Sequence, residues 1–327
     1  MQWARKQTGF TIVELLIVVV VIAILAAITI VAYNGITNRA KSSAVQADIT
    51  NAAKKLETLK LQDTAQQYPA TLTAAGITAS AGNTFEYDYS STDNSYCLHS
   101  TNGTIAWHAS SSDQSTKTGV CGSDSLIGNW SFNGNANDSS GNNLNGTVSG
   151  ATLTTGRNGQ ANGAYLFSGA TPNISMGNST LFDVPNLTMS IWANTSNPAT
   201  TSQTLIAKEG KQKYRISGGT SMGMLASTTT GWTHTQNCSF TFSAGTWYHI
   251  VYTVNSSTGF MKLFVNGNQV CEAPGPVITG YNTNPVVVGS YNVVGTEVFV
   301  GTLDDARFYN RALSNAEVKA LYDLGAQ

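Results

Sequence analysis

Asp304 and Asp305 are the only adjacent acids beyond residue 123, so they are the first place to look for chemistry. Cleavage of a sugar bond needs two carboxyls facing one another, about 5–5.5 Å apart in retaining enzymes. Neighbouring side chains on a strand alternate in direction, so this pair is expected to point to opposite faces. Glu209, Glu272 and Glu297 have no acid near them in sequence. His249 sits in the aromatic and β-branched run Trp247–Val254, where a core role outweighs catalysis. No serine lies in a nucleophile-elbow pattern. The chain therefore reads as non-enzymatic. A calcium ion is the better expectation, because Asn135, Asn137 and Asp138 place three oxygen-bearing side chains in one loop. The competing reading is that Asp138 caps a turn before Gly141. Trp232, His234, Tyr281 and Tyr291 fall in Gly-, Asn- and Thr-rich stretches. Trp232 and Tyr291 are candidate ligand platforms, set against ordinary loop packing.

The 327 residues carry 17 Lys and Arg against 18 Asp and Glu, and only 11% are charged. With no basic cluster, nucleic acid is not an expected partner. Four cysteines, Cys97, Cys121, Cys238 and Cys271, include no Cys-x-x-Cys, so zinc and redox motifs are not indicated. Their spacing favours Cys97–Cys121 and Cys238–Cys271, and disulfides suit an exported chain.

These residues need elements to hold them. From Leu15 to Tyr33 the chain has neither charge nor proline, about the length of a helix that crosses a hydrocarbon core. Val45, Ile49, Ala52, Leu56 and Leu59 continue at helical spacing, while Lys41, Asp48, Lys54, Lys55 and Lys60 fall off that face. One helix over 10–61 is expected, with its membrane part at about 12–33 and Gly35 as a local weak point. Beyond it, 85–90, 96–100 and 104–108 read as three strands of a small β head over 62–122. Gly122–Ser125 is a hinge-like stretch. From 123 to 327 short strands alternate with Gly-, Asn- and Ser-rich turns, as in a sandwich. Asn266-Gly267 marks a hairpin, and Ser314-Asn315-Ala316-Glu317 a capping box for a helix through Leu324.

Lys6, Gly9-Phe10-Thr11, Glu14 and the aliphatic run that follows resemble a type IV prepilin. The resemblance implies a leader at 1–9, removed by a prepilin peptidase that cuts after Gly9 and methylates Phe10. It also implies a pilin-like domain over 10–122. An ionised carboxylate in lipid is costly and needs a partner. Glu14 is expected to pair with the amine of a neighbour's Phe10 during assembly with other pilin subunits. Before assembly the chain would be a single-pass protein of the inner membrane, its leader on the cytoplasmic side. The mature form would be extracellular.

Leu126–Phe132 with Asp138–Gly141 and Asn145–Thr147, then Thr246–Val251 with Lys262–Gly267, then Gly301–Ser314 resemble the laminin-G-like, concanavalin A-like jelly roll. The fold class expected is therefore an α+β pilin-like module followed by an all-β jelly-roll sandwich at 123–327. The glucanase relatives carry a Glu-x-Asp-x-Glu-like run that is absent here. Relatives often hold calcium with an acid of the terminal motif, which adds Asp304 to Asp138 and Asn135 as candidate ligands. Together the two resemblances imply a filament subunit, minor or at the tip, that presents a module for adhesion to a glycan or protein surface. The alternatives are a pseudopilin of a secretion or DNA-uptake system and, behind it, a membrane-anchored glycan hydrolase.

Overall fold

The structure is a computed structural model that describes residues 12–198, 203–208, 212–217, 221–226, 234–240, 242–275 and 283–325. Helix α1 runs unbroken from Ile12 to Gln62, through Gly35, a rod of roughly 75 Å. It stops where Asp63 turns its carboxylate onto the backbone N–H groups of Ala65 and Gln67. Val45, Ile49, Ala52 and Leu56 are buried, so the apolar stripe seen in the sequence is the face that meets the head. Off that stripe, the Lys55 ammonium donates to the Gly76 carbonyl at 2.7 Å, and Asp48 accepts from Ser80 and Asn83.

The head sheet has four antiparallel strands in sequential order: β1 Thr84–Ser90, β2 Ser95–Asn102, β3 Ile105–Ser110 and β4 Lys117–Thr118. The expected three strands are joined by this two-residue fourth. Phe85, Tyr87 and Tyr89 pack toward the α1 core. On β2, residues Ser95–Ser100 are buried without alternation, as happens when both faces of a strand are covered. Tyr96 and Leu98 join the α1 core, whereas Cys97 joins a separate cluster with Cys121, Ala316 and Ala320. Cys97 and Cys121 form a disulfide with Cα atoms 6.1 Å apart.

The rest of the chain builds a two-sheet antiparallel sandwich. Among the described residues the front sheet runs Asn268–Pro274, Phe260–Val265, Tyr248–Asn255, Asn186–Thr195, Gly301–Tyr309, Ala164–Phe167, Thr152–Thr154, with Leu126–Trp130 also paired to Gly301–Tyr309. The back sheet has Gln203–Lys208 at its centre, followed toward one edge by Val286–Val288 and Asn173–Ser175. Leu187, Met189, Ile191 and Ala193 point into the core between the sheets. Asn266 and Gly267 both take positive φ, 50° and 76°, as a two-residue hairpin turn requires. Cys238 and Cys271 form the second disulfide, joining the two sheets.

The alternating residues Thr188, Ser190 and Trp192 are buried as well, although a one-sided sheet would show them to water. Helix α2, Asn315–Gly325, and the Arg311–Leu313 segment that leads into it cover them. The helix's Val318 and Leu321 pack on Val251, Phe264 and Tyr309 of the front sheet, and Tyr322 stacks on Trp192. Its Ala316 and Ala320 pack on the head disulfide. The layers are thus α1, head sheet, α2, front sheet and back sheet.

The start of α2 shows why the halves stay together. A helix opens with backbone N–H groups that have no partner inside the helix. Ser314 and Glu317 form the capping box, each side chain taking the other's N–H. The N–H of Asn315 donates to Asp93 at 3.0 Å and that of Ala316 to Ser95 Oγ at 3.2 Å, both acceptors belonging to the head. Glu317, fully buried, holds Arg311 through two 2.8 Å hydrogen bonds and accepts from the head's Ser112 at 3.1 Å. Burial pushes its carboxyl up, but Arg311 and the Ser314 N–H outweigh that and hold it below the ordinary range. The stretch expected to be a hinge is instead a 3₁₀ turn, Ser123–Ser125, with Asp124 tied to Lys117 at 2.8 Å and near Arg311 at 3.8 Å.

A second charged contact crosses the seam further along α2. Lys319 pairs with Asp323 and lies 3.9 Å from Asp88 of β1. Glu86 faces His99 at 2.6 Å on the adjoining strand. Burial, then the nearby Asp323 carboxylate, push Asp88 from 3.8 to about 7, with Lys319 acting in the opposite sense. A carboxyl raised in the folded state contributes stability that is complete below its unfolded value and is lost as the pH climbs through about 7. Asp88→Asn should therefore melt with the wild type near pH 3, below the unfolded carboxyl's range, and a few degrees above it at pH 8.5, in thermal unfolding followed at both pH values. Equal melting at pH 8.5 would contradict this account of the seam.

Candidate functional site

Among the described residues two surfaces have functional character. The first is the N-terminal part of α1, where every described side chain from Leu15 to Ile30 stands in the open. Exposed side chains in this stretch include Leu15, Ile17, Ile22, Leu25, Ile28 and Ile30. Such a patch is far larger than a soluble monomer ordinarily shows. By length and composition this helix can cross a membrane. Gly9 and Phe10 lie outside the described residues, and for Glu14 only the helical backbone is described.

The second is a polar cleft at the edge of the sandwich. It lies between Leu126–Trp130, the Gly156–Gly163 turn and the Gly301–Tyr309 strand, and encloses about 240 Å³. Asp304 and Asp305 both contribute to it, against the expectation that they point apart. The reason is local. Asp305 takes a φ of 47°, and the pairing with Asn186–Thr195 slips between Ser190 and Trp192. One extra residue breaks the alternation and turns both carboxyls to the same side.

Arg157 meets them there. Its Nη1 donates to Asp304 Oδ2 at 2.9 Å, and its Nη2 lies 3.6 Å from Asp305. Arg307 adds two hydrogen bonds to Asp305, at 3.0 and 2.8 Å. Arg157 also donates from Nε to the Gly325 carbonyl at the end of α2 and lies 4.9 Å above the Trp192 ring. Burial pushes the Asp304 carboxyl up, with Arg157 opposing it. Asp304 Oδ1 and Asn129 Oδ1 are buried with no hydrogen-bond partner. Neither Arg157 nor Asn129 was picked out from the sequence. The available signal was that two acids in a strand destined for burial must find cations somewhere.

The expected calcium ligands are otherwise engaged. Asp138 accepts backbone N–H groups of Asn129, Ser140 and Leu144 and the Ser140 hydroxyl, so it organises the 138–144 turn. Those bonds hold its carboxyl below the ordinary range despite some burial. Asn135 Oδ1 accepts from the Asn137 N–H. Asp304 has Arg157 where a cation would sit. This arrangement does not support the expected calcium site: among the described residues no group of three or more His, Cys, Asp or Glu could hold a metal ion. Trp232 lies outside the described residues. Tyr291 is half-buried, its N–H donating to the Thr296 carbonyl, and it does not line the cleft. His249 is a core residue, bonded to Ser190 Oγ at 2.8 Å and packed beside the stacked rings of Trp192 and Tyr322. Burial, followed by Arg307 and Arg157, pushes it down to about 3, so it stays neutral.

Comparison with known proteins finds two family matches, one at each part of the chain. The prokaryotic N-terminal methylation motif matches residues 4–30, and the concanavalin A-like lectin/glucanases superfamily matches residues 167–319. The type IV wide pilus major component PilA4 of Thermus thermophilus is 34% identical over 114 residues, which span 34% of this chain and 86% of that protein. Among solved structures, the binding domain of Paraclostridial Mosquitocidal Protein 1 aligns with a TM-score of 0.51 at 21% identity, covering 62% of this chain and 53% of its own. The receptor binding domain of botulinum neurotoxin C/D mosaic serotype gives 0.50 at 18%, covering 62% and 51%. The chain thus spans about half the length of these structures, and at such identity the likeness is one of fold.

The Arg157–Asp304 pair is open to direct measurement. Removing one partner of a buried ion pair strands the other, at a cost of roughly 3 kcal/mol. Arg157→Ala is expected to lose about that much in denaturant unfolding, and Arg157→Ala with Asp304→Asn appreciably less. Additive losses in the double-mutant cycle would show that the two groups do not depend on each other.

Proposed function

The chain belongs to the type IV pilin family, and from that premise we propose that it is a minor or tip subunit of an extracellular filament, presenting its jelly roll for adhesion to a glycan or protein surface. The observation that carries the reading is the bare apolar half of α1 continuing into a spine that bears the head and, through α2, the sandwich. An apolar rod of this kind is stable in lipid before assembly and in a bundle of like rods afterwards. The leader would lie on the cytoplasmic side, a prepilin peptidase would cut after Gly9 and methylate Phe10, and the mature chain would leave the membrane as it joins its neighbours.

Glu14 is assigned the docking role. In hydrocarbon its charge favours a partner, and the new amine of a neighbouring Phe10 is the group that processing would supply. The bulk of the sandwich supports a minor or tip position, since a module larger than the head is hard to repeat at every filament site. An adhesive role suits a two-sheet fold whose relatives include receptor-binding domains, although each relative's ligand remains its own. Calcium at either acid would compete with the partners present, Arg157 on Asp304 and the turn N–H groups on Asp138. A calcium-dependent rise in melting temperature over an EDTA control would show that exchange. The arrangement of those groups predicts none.

Purified filaments test the main reading. Mass spectrometry should find a methylated chain that starts at Phe10, and immunogold labelling should place it on extracellular filaments or their tips. Glu14→Gln is expected to insert in the membrane at normal level and to be lost from filaments by tenfold or more. Wild-type protein held entirely in an envelope-bound pool would favour a pseudopilin instead.

A further inference from the structure

Between its apolar half and the head, α1 has a short neck. A span of about 20 residues from Leu15 ends beside Tyr33, which is exposed and of a type that favours the membrane–water interface. The head reaches down the helix to Ser42, whose hydroxyl accepts from Trp107 Nε1 at 3.0 Å. In between stand Arg39 and Lys41, both exposed. Among the described residues neither has an ion pair. In the sandwich, by contrast, Arg157, Lys208, Lys262, Arg307, Arg311 and Lys319 each meet an acid. No Asp or Glu lies between Glu14 and Asp48, and Asp48 is taken by Ser80 and Asn83. The neck is thus a cationic collar with no counter-charge of its own.

Its geometry selects the partner. Along the axis, Arg39 and Lys41 stand roughly 9 and 12 Å beyond Tyr33. Helical side chains lean toward the N-terminus, which here is the membrane side, and long basic ones stretch to place their charge in a polar layer. Headgroups add roughly 5–7 Å to each face of the hydrocarbon, within reach of both. Two positions along a helix also turn a side chain by roughly 200°, so the two cations leave the rod on nearly opposite sides. A single free anion, or an acidic partner on one side, would meet only one of them. A plane of headgroups surrounds the rod and meets both. We infer that the neck is an anionic-lipid contact, in which Arg39 and Lys41 each hold a phospholipid phosphate before assembly and set the depth at which the chain stands. The inference rests on the membrane stage of the filament reading and adds the class of lipid. Joining a filament then means leaving these headgroups as well as the hydrocarbon.

The test uses the full chain reconstituted in phosphatidylcholine vesicles that carry a trace of spin-labelled phosphatidylglycerol or spin-labelled phosphatidylcholine. The motionally restricted part of each spectrum reads how much of that lipid the protein holds. The wild type is expected to prefer phosphatidylglycerol by about threefold or more. Arg39→Gln combined with Lys41→Gln is expected to lose at least half of that preference. Every form keeps Arg5 and Lys6, so the difference belongs to the neck. Lys54→Gln, exposed on the same helix roughly 30 Å beyond Tyr33, should change nothing. Arg39→Lys combined with Lys41→Arg should keep the wild-type preference. A preference unmoved in the double glutamine variant overturns the inference, and so does an equal loss in Lys54→Gln. Carbonate extraction of the same vesicles scores the span separately. A chain released by carbonate sinks the membrane stage itself, whereas a retained chain with no lipid preference sinks the contact alone.

Discussion

The first turn of α2 is the point on which the arrangement of the chain depends. Any helix must find acceptors for its opening N–H groups, and here the solution is divided between the two parts of the protein. Ser314 serves one donor from the helix's own side, while Asp93 and Ser95 of the head serve the two before it. Pulling the sandwich from the head would leave those donors bare. It would also leave the buried Glu317 without its head serine and uncover the small apolar contact of Ala316 and Ala320 with the Cys97–Cys121 bridge. None of these contacts is large. Together they make a helix that belongs by sequence to the sandwich serve as the outer layer of the head.

The far end of α2 is tied as well. Arg157 takes the Gly325 carbonyl, rests on Trp192 and pairs with Asp304. The cleft is therefore coupled to the same element that docks the head, at the opposite end of one eleven-residue helix. In a filament subunit this has a mechanical sense. The apolar rod fixes the head, the head caps α2, and α2 orients the sandwich and its cleft. The cleft is then carried on a stack of packed layers, α1 to back sheet.

The sandwich also shows how one added layer changes what a strand pattern means. Asn186–Thr195 alternates between apolar and polar residues, as a strand with one wet face does. With α2 and the segment leading into it laid across it, Thr188, Ser190 and Trp192 are as dry as the core side, and their polar atoms are bonded internally where hydrogen bonds are described. His249 follows the same logic. Its neutrality comes from burial under α2, and its place next to a serine oxygen is packing, with no acid placed to orient it for catalysis.

Much of this was legible in the residues because it rests on local rules. The unbroken apolar run of α1 and the stripe through Val45, Ile49, Ala52 and Leu56 follow from helical periodicity. Asn266-Gly267 announces its turn through the positive φ that both residues tolerate, and Ser314 and Glu317 announce their cap through reach across one turn. The methylation motif matched at residues 4–30 is likewise a matter of sequence, carried by neighbouring residues. What the residues alone left undecided are meetings between distant segments. The joining of Asp304 and Asp305 on one side depends on a bulge set by the neighbouring strand, and Arg157 finds them from almost 150 positions away. The supposed hinge became a fixed seam because Asp93, Ser95 and Ser112 happen to lie where α2 begins. Periodicity and capping act over a few residues and can be read in order; partner choice for a buried charge is made only when the chain has folded, by whatever cation the topology brings within reach.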